Sequence, residues 1–170
     1  GLGKTADQIV AIGERLAAAG GNVLVTRVAP DVAERLVREI PGFESHPLPR
    51  LALRRGHSVD VAGRGTVLVV SAGTADLPVA EEAALSAELM GNPVERIYDV
   101  GVSGLHRLLE QRERLWSASV LIVVAGMEGA LPSVVGGLVD RPVVAVPTSI
   151  GYGSSFGGLA ALLGMLNTCA

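Results

Sequence analysis

Glu128 is the residue whose setting most directly suggests chemistry. Within residues 116–170, the charged side chains are Glu128 and the adjacent pair Asp140-Arg141. Glu128 lies in Ala125-Gly-Met-Glu-Gly-Ala-Leu-Pro132, directly after an apolar run. Partial burial makes a carboxylate a stronger base, so this position suits general-base catalysis. The alternative is an exposed loop glutamate or a helix cap, and we favour the catalytic role because isolated acids of this kind are often functional.

The single cysteine, Cys169, is the second candidate. It lies near the end of the sequence, in Asn167-Thr-Cys-Ala170. One cysteine excludes an internal disulfide and a metal site built from several cysteines. The thiolate could act as a nucleophile, and a buried, inert thiol is the alternative. Residue type and spacing leave this choice open.

Two glycine- and hydroxyl-rich loops suit a bound anion. Ser71-Ala-Gly-Thr-Ala-Asp76 precedes a predicted helix, whose first backbone N–H groups could bind a phosphate or carboxylate. The alternative is an ordinary turn in which Asp76 is the N-cap. The loop Pro147-Thr-Ser-Ile-Gly-Tyr-Gly-Ser-Ser-Phe-Gly-Gly158 has the composition of a turn that surrounds a ligand, or of a flexible connector.

A further loop, Asp99-Val-Gly-Val-Ser-Gly-Leu-His-Arg107, carries an acid, a hydroxyl, a histidine and an arginine. Ser103, His106 and Arg107 lie at the start of a predicted helix. Arginine can hold phosphate there, and histidine can move protons. A lone histidine is more often structural.

Strands that alternate with helices from Thr66 onward would bring these loops together. The predicted elements are Thr66–Val70, Pro78–Met90, Val94–Tyr98, Gly104–Leu115, Ser119–Val124, Pro132–Val139, Val143–Val146 and Gly157–Leu166. The strands include continuous apolar runs, as expected where both faces of a sheet are buried. We predict an α/β fold: a three-layer α/β/α, doubly wound parallel sheet of the flavodoxin-like kind. Ligands bind such sheets beyond the carboxyl ends of the strands, which is where all the loops above lie.

Residues 1–62 are predicted to form a small amino-terminal α/β unit, and residues 63–170 the larger domain. Thr5-Ala-Asp-Gln8 is a capping box that begins a helix ending near Gly20-Gly21. A strand over Val23–Val28 and a second helix follow. The proline- and glycine-rich stretch Ser45–Gly65 predicts a short strand and a linker.

The composition excludes several classes of protein. A chain of 170 residues with 49% hydrophobic and 18% charged residues is a packed globular protein. A formal charge of −3 and 3% aromatic residues argue against nucleic acid as a partner. No segment has the length and apolarity of a membrane-spanning helix, and no secretory leader is visible. We therefore expect no membrane partner and a cytoplasmic location.

Motifs along nearly the whole chain resemble the LarB family of nickel-pincer cofactor biosynthesis. Those in the larger domain are Ser71–Asp76, Asp99–Arg107, Gly126-Met-Glu-Gly-Ala-Leu-Pro132, Pro147-Thr-Ser-Ile-Gly-Tyr-Gly and Met165-Leu-Asn-Thr-Cys-Ala170. In the amino-terminal unit, Gly3-Lys-Thr5 and Thr26-Arg27 also match. The larger domain is similar, in addition, to the purine-biosynthetic carboxylases that act on aminoimidazole ribonucleotide.

The resemblance implies an enzyme, pyridinium-3,5-biscarboxylic acid mononucleotide synthase. Such an enzyme carboxylates nicotinic acid adenine dinucleotide at ring C5, with carbon dioxide or bicarbonate as co-substrate, and cleaves the phosphoanhydride to release AMP. The resemblance implies Cys169 as the nucleophile and Glu128 as the catalytic glutamate, and it places His106 in the site, where we expect it to be a further catalytic residue. The other expected site residues are Ser71, Gly73, Thr74, Asp76, Asp99, Ser103, Arg107, Gly126, Met127, Thr148 and Gly151. Asp76 and Asp99 are also candidates to hold a magnesium ion for the anhydride step.

Two other functions remain open. An aminoimidazole ribonucleotide carboxylase or mutase would need no cysteine nucleophile, and a non-catalytic nucleotide-binding module would use the same loops. Gly136-Gly137 and Gly157-Gly158 permit close helix packing, so we expect a homo-oligomer, and the resemblance implies an octamer. Family members extend beyond both ends of this sequence, so we expect the chain to be a fragment, with the larger domain truncated at its carboxyl end.

Overall fold

The computed structural model describes residues 1–168, in two units that divide between Asp60 and Val61. The first unit consists of two helices and three strands: α1 (Ala6–Ala18), β1 (Val23–Val25), α2 (Pro30–Glu39), β2 (Phe43–His46) and β3 (Leu51–Arg54). The strands form an antiparallel sheet in the order β1-β3-β2. Ile9 of α1, Leu36 of α2 and Phe43 of β2 share one buried core, so both helices pack on this sheet.

The capping box predicted at the start of α1 is present. Thr5 Oγ1 accepts a hydrogen bond from Gln8 N (3.3 Å), and Thr5 N donates to Gln8 Oε1 (3.0 Å). These bonds satisfy N–H groups that the first helical turn leaves without partners.

The amino-terminal unit differs from the prediction in its strands. The first strand ends at Val25 rather than Val28, because Arg27 has φ of +51° and leaves the extended conformation. The short strand predicted within Ser45–Gly65 is present as β3, but it forms a hairpin with β2, a strand that was not predicted. Its turn is closed by a hydrogen bond from Arg50 N to Pro47 O (3.1 Å).

The second unit confirms the predicted alternation of strands and helices. Its elements are β4 (Val67–Ser71), α3 (Leu77–Leu89), β5 (Val94–Ile97), α4 (Leu105–Leu109), α5 (Arg112–Ser117), β6 (Val120–Ala125), α6 (Ala130–Leu138), β7 (Val143–Pro147) and α7 (Leu159–Leu166). The strands are parallel, in the order β5-β4-β6-β7. Numbered within this unit the strand order is 2-1-3-4, as in flavodoxin-like sheets, and the order in which successive strands are added to the sheet reverses between β4 and β6.

Helices cover both faces of this sheet, which confirms the three-layer architecture. Val67 and Val69 of β4 pack with Ala80 and Ala84 of α3 on one face. The alternate β4 residues, including Leu68, belong to a second core with α4, α5, α6 and Met165 of α7 on the other face. Because successive strand residues point to opposite faces, burial on both sides requires the continuous apolar runs seen in the sequence.

One predicted helix is broken. The helix predicted over Gly104–Leu115 is divided into α4 and α5, which meet at Glu110 and Gln111. No glycine or proline marks the break, so local propensity does not predict it. Within residues 1–168, no helix is both long and apolar enough to cross a membrane.

Candidate functional site

A cavity of about 430 Å³ lies at the carboxyl ends of the parallel strands. It is bounded by the loops that follow β4, β5, β6 and β7. Eight predicted site residues line it: Gly73, Thr74, Asp76, Ser103, Arg107, Gly126, Met127 and Glu128. The strands place these loops together because parallel strands end at one edge of the sheet.

Asp76 and Thr148 join the loops after β4 and β7 by a buried hydrogen bond. Each residue is 4% exposed. Thr148 Oγ1 donates to Asp76 Oδ1 (2.7 Å), and Asp76 Oδ2 accepts from Gly73 N (3.1 Å). Asp76 occupies the N-cap position of α3, as the ordinary-turn alternative expects, but its side chain makes no capping hydrogen bond to that helix. We name this pair the Asp76–Thr148 clasp, and its carboxylate stabilises the two loops against each other.

Removing the hydroxyl of the clasp should destabilise the larger unit. Thr148→Val keeps the shape but leaves a buried carboxylate oxygen without its donor, at a cost of about 1–3 kcal/mol. Urea unfolding followed by fluorescence of the single tryptophan, Trp116, measures the change. Thr148→Ser retains the donor and should lose about 1 kcal/mol or less. Equal midpoints for Thr148→Val and the unchanged protein would contradict a stabilising role.

The loop after β6 has a close-packed backbone. Met127 has φ of +54° and donates from its N to Ile150 O (2.8 Å), which ties this loop to the one after β7. A Cβ on Gly126 would lie 2.3 Å from Ile150 O and 2.7 Å from Thr148 Oγ1, so only glycine fits there. Backbone contacts therefore hold the two residues that precede Glu128.

Glu128 lies at the cavity with an exposed side chain, and the partial burial expected from the sequence is absent. Across residues 1–168 its carboxylate has no hydrogen-bond or ion-pair partner. Its backbone, in contrast, is packed: a Cβ on Gly164 of α7 would lie 2.3 Å from Glu128 O. A fixed backbone with an uncommitted carboxylate suits a group that must accept a proton from a ligand.

Arg107 brings positive charge to the cavity and is paired with Asp99. Arg107 Nη1 donates to Asp99 Oδ2 (2.7 Å), and Asp99 has φ of +60°. In the described part of the chain, Nε of Arg107 is buried without a hydrogen-bond partner. Buried Nε is not accessible to a ligand, but the side chain is 42% exposed and pairs with Asp99 through Nη1, which leaves Nη2 to bind a phosphate or carboxylate.

Asp99 and four other predicted site residues do not line the cavity themselves. Ser71 is fully buried at the end of β4, and its Oγ has no partner among the residues described. Thr148 acts through the clasp, while Gly151 packs against Ser155. His106 is exposed on α4, so its catalytic role stays a prediction.

The magnesium ion also stays a prediction. Both Asp76 oxygens already accept hydrogen bonds, and Asp99 is paired with Arg107. Residues 1–168 contain no group of three or more histidine, aspartate or glutamate side chains arranged to hold a metal ion. No step described below depends on one.

Three residues at or near the site, Ser133, Ile150 and Tyr152, were not predicted individually from the sequence. Ser133 Oγ of α6 donates to Thr168 Oγ1 (2.8 Å), and Thr168 immediately precedes Cys169. Cys169 itself lies outside the described residues. Tyr152 lines the cavity from a glycine-rich loop, and an aromatic residue in such a loop was the signal that could have identified it.

Two protein families match successive parts of the chain. A family described as AIR carboxylase matches residues 66–170, and one described as LarB/PurE-like N-terminal domain matches residues 1–55. Uncharacterized protein MJ0165 of Methanocaldococcus jannaschii is 37% identical over 179 residues, covering 100% of this chain and 68% of the relative. The N5-carboxyaminoimidazole ribonucleotide mutase of the same organism is 34% identical over 100 residues, covering 57% of this chain and 59% of the mutase. The chain belongs to the LarB family, and its larger part is an AIR carboxylase domain with a carboxylase-type role.

Proposed function

We propose that this protein carboxylates the pyridinium ring of nicotinic acid adenine dinucleotide at C5 and hydrolyses the phosphoanhydride to release AMP, in nickel-pincer cofactor biosynthesis. The amino-terminal match to the LarB/PurE-like domain and the AIR carboxylase domain together support a carboxylase of this family. The cavity at the carboxyl edge of the sheet supports a small-molecule substrate.

The observation that supports the proposal most directly is that Glu128 and Thr168 both contact the helix pair α6 and α7. Glu128 is followed by α6, and Ser133 of α6 bonds to Thr168, the neighbour of Cys169. Gly164 of α7 contacts the Glu128 backbone. Cys169 follows Thr168 directly in the sequence, and we propose that its thiol acts on the same substrate ring as Glu128.

The proposed reaction begins with the thiolate because a cationic ring cannot attack carbon dioxide. The Cys169 thiolate adds to a ring carbon next to C5, and the ring electrons move to give a neutral dihydropyridine. C5 is then enamine-like and forms a bond to carbon dioxide. Glu128 removes the C5 proton, and return of the electrons breaks the carbon–sulfur bond and restores the aromatic pyridinium. Covalent catalysis thus divides one difficult step into two easier ones.

The anhydride step needs charge stabilisation and a positioned water molecule. Water attacks one phosphorus, AMP leaves, and the product keeps a monophosphate with two ring carboxylates. Arg107 is the cationic side chain at the cavity that could bind the phosphate during this step.

Incubation with nicotinic acid adenine dinucleotide and labelled bicarbonate tests the whole proposal. Label in the pyridine ring together with an equal amount of AMP is the expected result. The mutase is the second candidate, favoured by the 34% identity to a mutase. Turnover of carboxyaminoimidazole ribonucleotide in a separate incubation, with no label in the pyridine ring in the first, would identify that function instead. Nucleotide binding without either reaction would identify a non-catalytic module.

We also propose that the protein is a homo-oligomer, and the octamer follows from the family resemblance. Leu159, Leu162, Leu163 and Leu166 of α7 are exposed in the single chain. A contiguous apolar face of this kind usually marks an interface.

We expect Leu163→Glu to lower the mass measured by analytical ultracentrifugation. Leu48→Glu, at an equally exposed leucine of the amino-terminal unit, should leave the mass unchanged; equal masses for all forms would contradict the proposal.

A further inference from the structure

Tyr152 presents an exposed aromatic ring at the cavity. Its side chain is 82% exposed, although it belongs to the residues that line the cavity. Among the described residues that line the cavity, Tyr152 is the one with an aromatic side chain. Such exposure means that the ring makes few contacts with its own chain, so a ligand could cover much of its surface.

The loop that carries Tyr152 is fixed on both sides of the ring. On one side, Ile150 O accepts the hydrogen bond from Met127 N (2.8 Å). On the other side Ser155 is buried, and a Cβ on Gly158 would lie 2.7 Å from Thr148 O. The backbone is therefore held while the ring is left open, and a ligand need not pay to order the loop.

The rest of the cavity matches a nucleotide in its polarity. Met127, exposed on the neighbouring loop, lines the same cavity and offers a thioether that packs well on aromatic rings. Arg107, with a side chain that is 42% exposed and paired with Asp99 through Nη1, has Nη2 left to donate to a phosphate. An aromatic ring, a thioether and a guanidinium in one cavity suit a ligand with a flat heterocycle at one end and phosphate at the other.

We propose that the Tyr152 ring stacks on a heteroaromatic ring of the nucleotide substrate, an inference that rests on the function proposed above. Two rings of that substrate share the required chemistry, the pyridinium and the adenine. Stacking on an aromatic side chain strengthens binding by about 5- to 150-fold, judged from alanine substitution in other proteins. A cationic pyridinium gains a further attraction to the face of the tyrosine ring.

Calorimetric titration with nicotinic acid mononucleotide and, separately, with AMP tests this inference and identifies the ring. Tyr152→Ala should weaken binding of at least one nucleotide by about 5- to 150-fold. Tyr152→Phe should recover most of the lost affinity, because stacking needs the ring and not the hydroxyl. Phe156→Ala is the matched control: this exposed ring lies in the same loop but outside the cavity lining, so its removal should leave both affinities unchanged.

Three results would overturn the inference. In the first, Tyr152→Ala binds both nucleotides as tightly as the original protein does. In the second, the original protein binds neither nucleotide. In the third, Tyr152→Ala loses affinity but its assembly mass changes as well. None of these requires turnover. If nucleotide binding depends on Tyr152 but no carboxylation is detected, the proposed function alone is rejected. If the protein carboxylates its substrate but Tyr152→Ala binds nucleotides with unchanged affinity, the stacking alone is rejected.

Discussion

Cys169→Ala should abolish ring carboxylation, with a loss of at least about 10³-fold, as is usual when a covalent nucleophile is removed. Without addition of sulfur, C5 of the cationic ring never becomes enamine-like and carbon dioxide finds no nucleophile. Incorporation of labelled bicarbonate into the ring measures the rate. Intact-protein mass after rapid acid quenching should show a substrate adduct on the unchanged protein and none on the variant.

Cys169→Ser is the matched control for shape. Serine has nearly the volume of cysteine, but its hydroxyl is a far weaker nucleophile near neutral pH without an adjacent base. We therefore expect Cys169→Ser to be as inactive as Cys169→Ala while both still bind nicotinic acid mononucleotide. Carboxylation by Cys169→Ala at the unchanged rate would eliminate covalent catalysis and favour a mutase-type reaction, which needs no thiol.

The fold of the larger unit could be predicted because its signals are local. The two central parallel strands, β4 and β6, are continuous apolar runs, and strands alternate regularly with helices along this part of the sequence. The β2–β3 hairpin was harder to predict, because its turn contains Pro47 and Pro49 and has the composition of a linker. The break between α4 and α5 has no glycine or proline, so packing of the whole domain decides it.

The cavity could be predicted to the level of loops but not of individual side chains. Parallel strands bring their following loops to one edge, whichever residues those loops contain. His106 and Arg107 are neighbours about 100° apart around a helix, so they point in different directions, and Arg107 is the one at the cavity. The Asp76–Thr148 clasp joins residues 72 positions apart, a pairing that no local pattern contains.

Glu128→Gln should separate ring addition from carboxylation. The amide cannot take the C5 proton, so the carboxylated adduct can only return to carbon dioxide and the dihydropyridine. General-base removal typically lowers rates by about 10²–10⁴-fold, and we expect a loss in that range for label incorporation. Sulfur addition does not use Glu128, so the unlabelled Cys169 adduct should accumulate and be seen by intact-protein mass.

Asp140→Asn is the matched control for this change in charge. Asp140 is exposed, is paired with Arg141, and is the other acidic residue of this charge-poor part of the sequence. Asp140 precedes β7 and so lies at the end of that strand opposite the cavity. The Asp140→Asn variant should therefore carboxylate its substrate at the rate of the unchanged protein. Full label incorporation by Glu128→Gln would contradict the role of base. Loss of the adduct in Glu128→Gln would show instead that the carboxylate acts before carbon dioxide is attacked, because only addition of the thiolate precedes that attack.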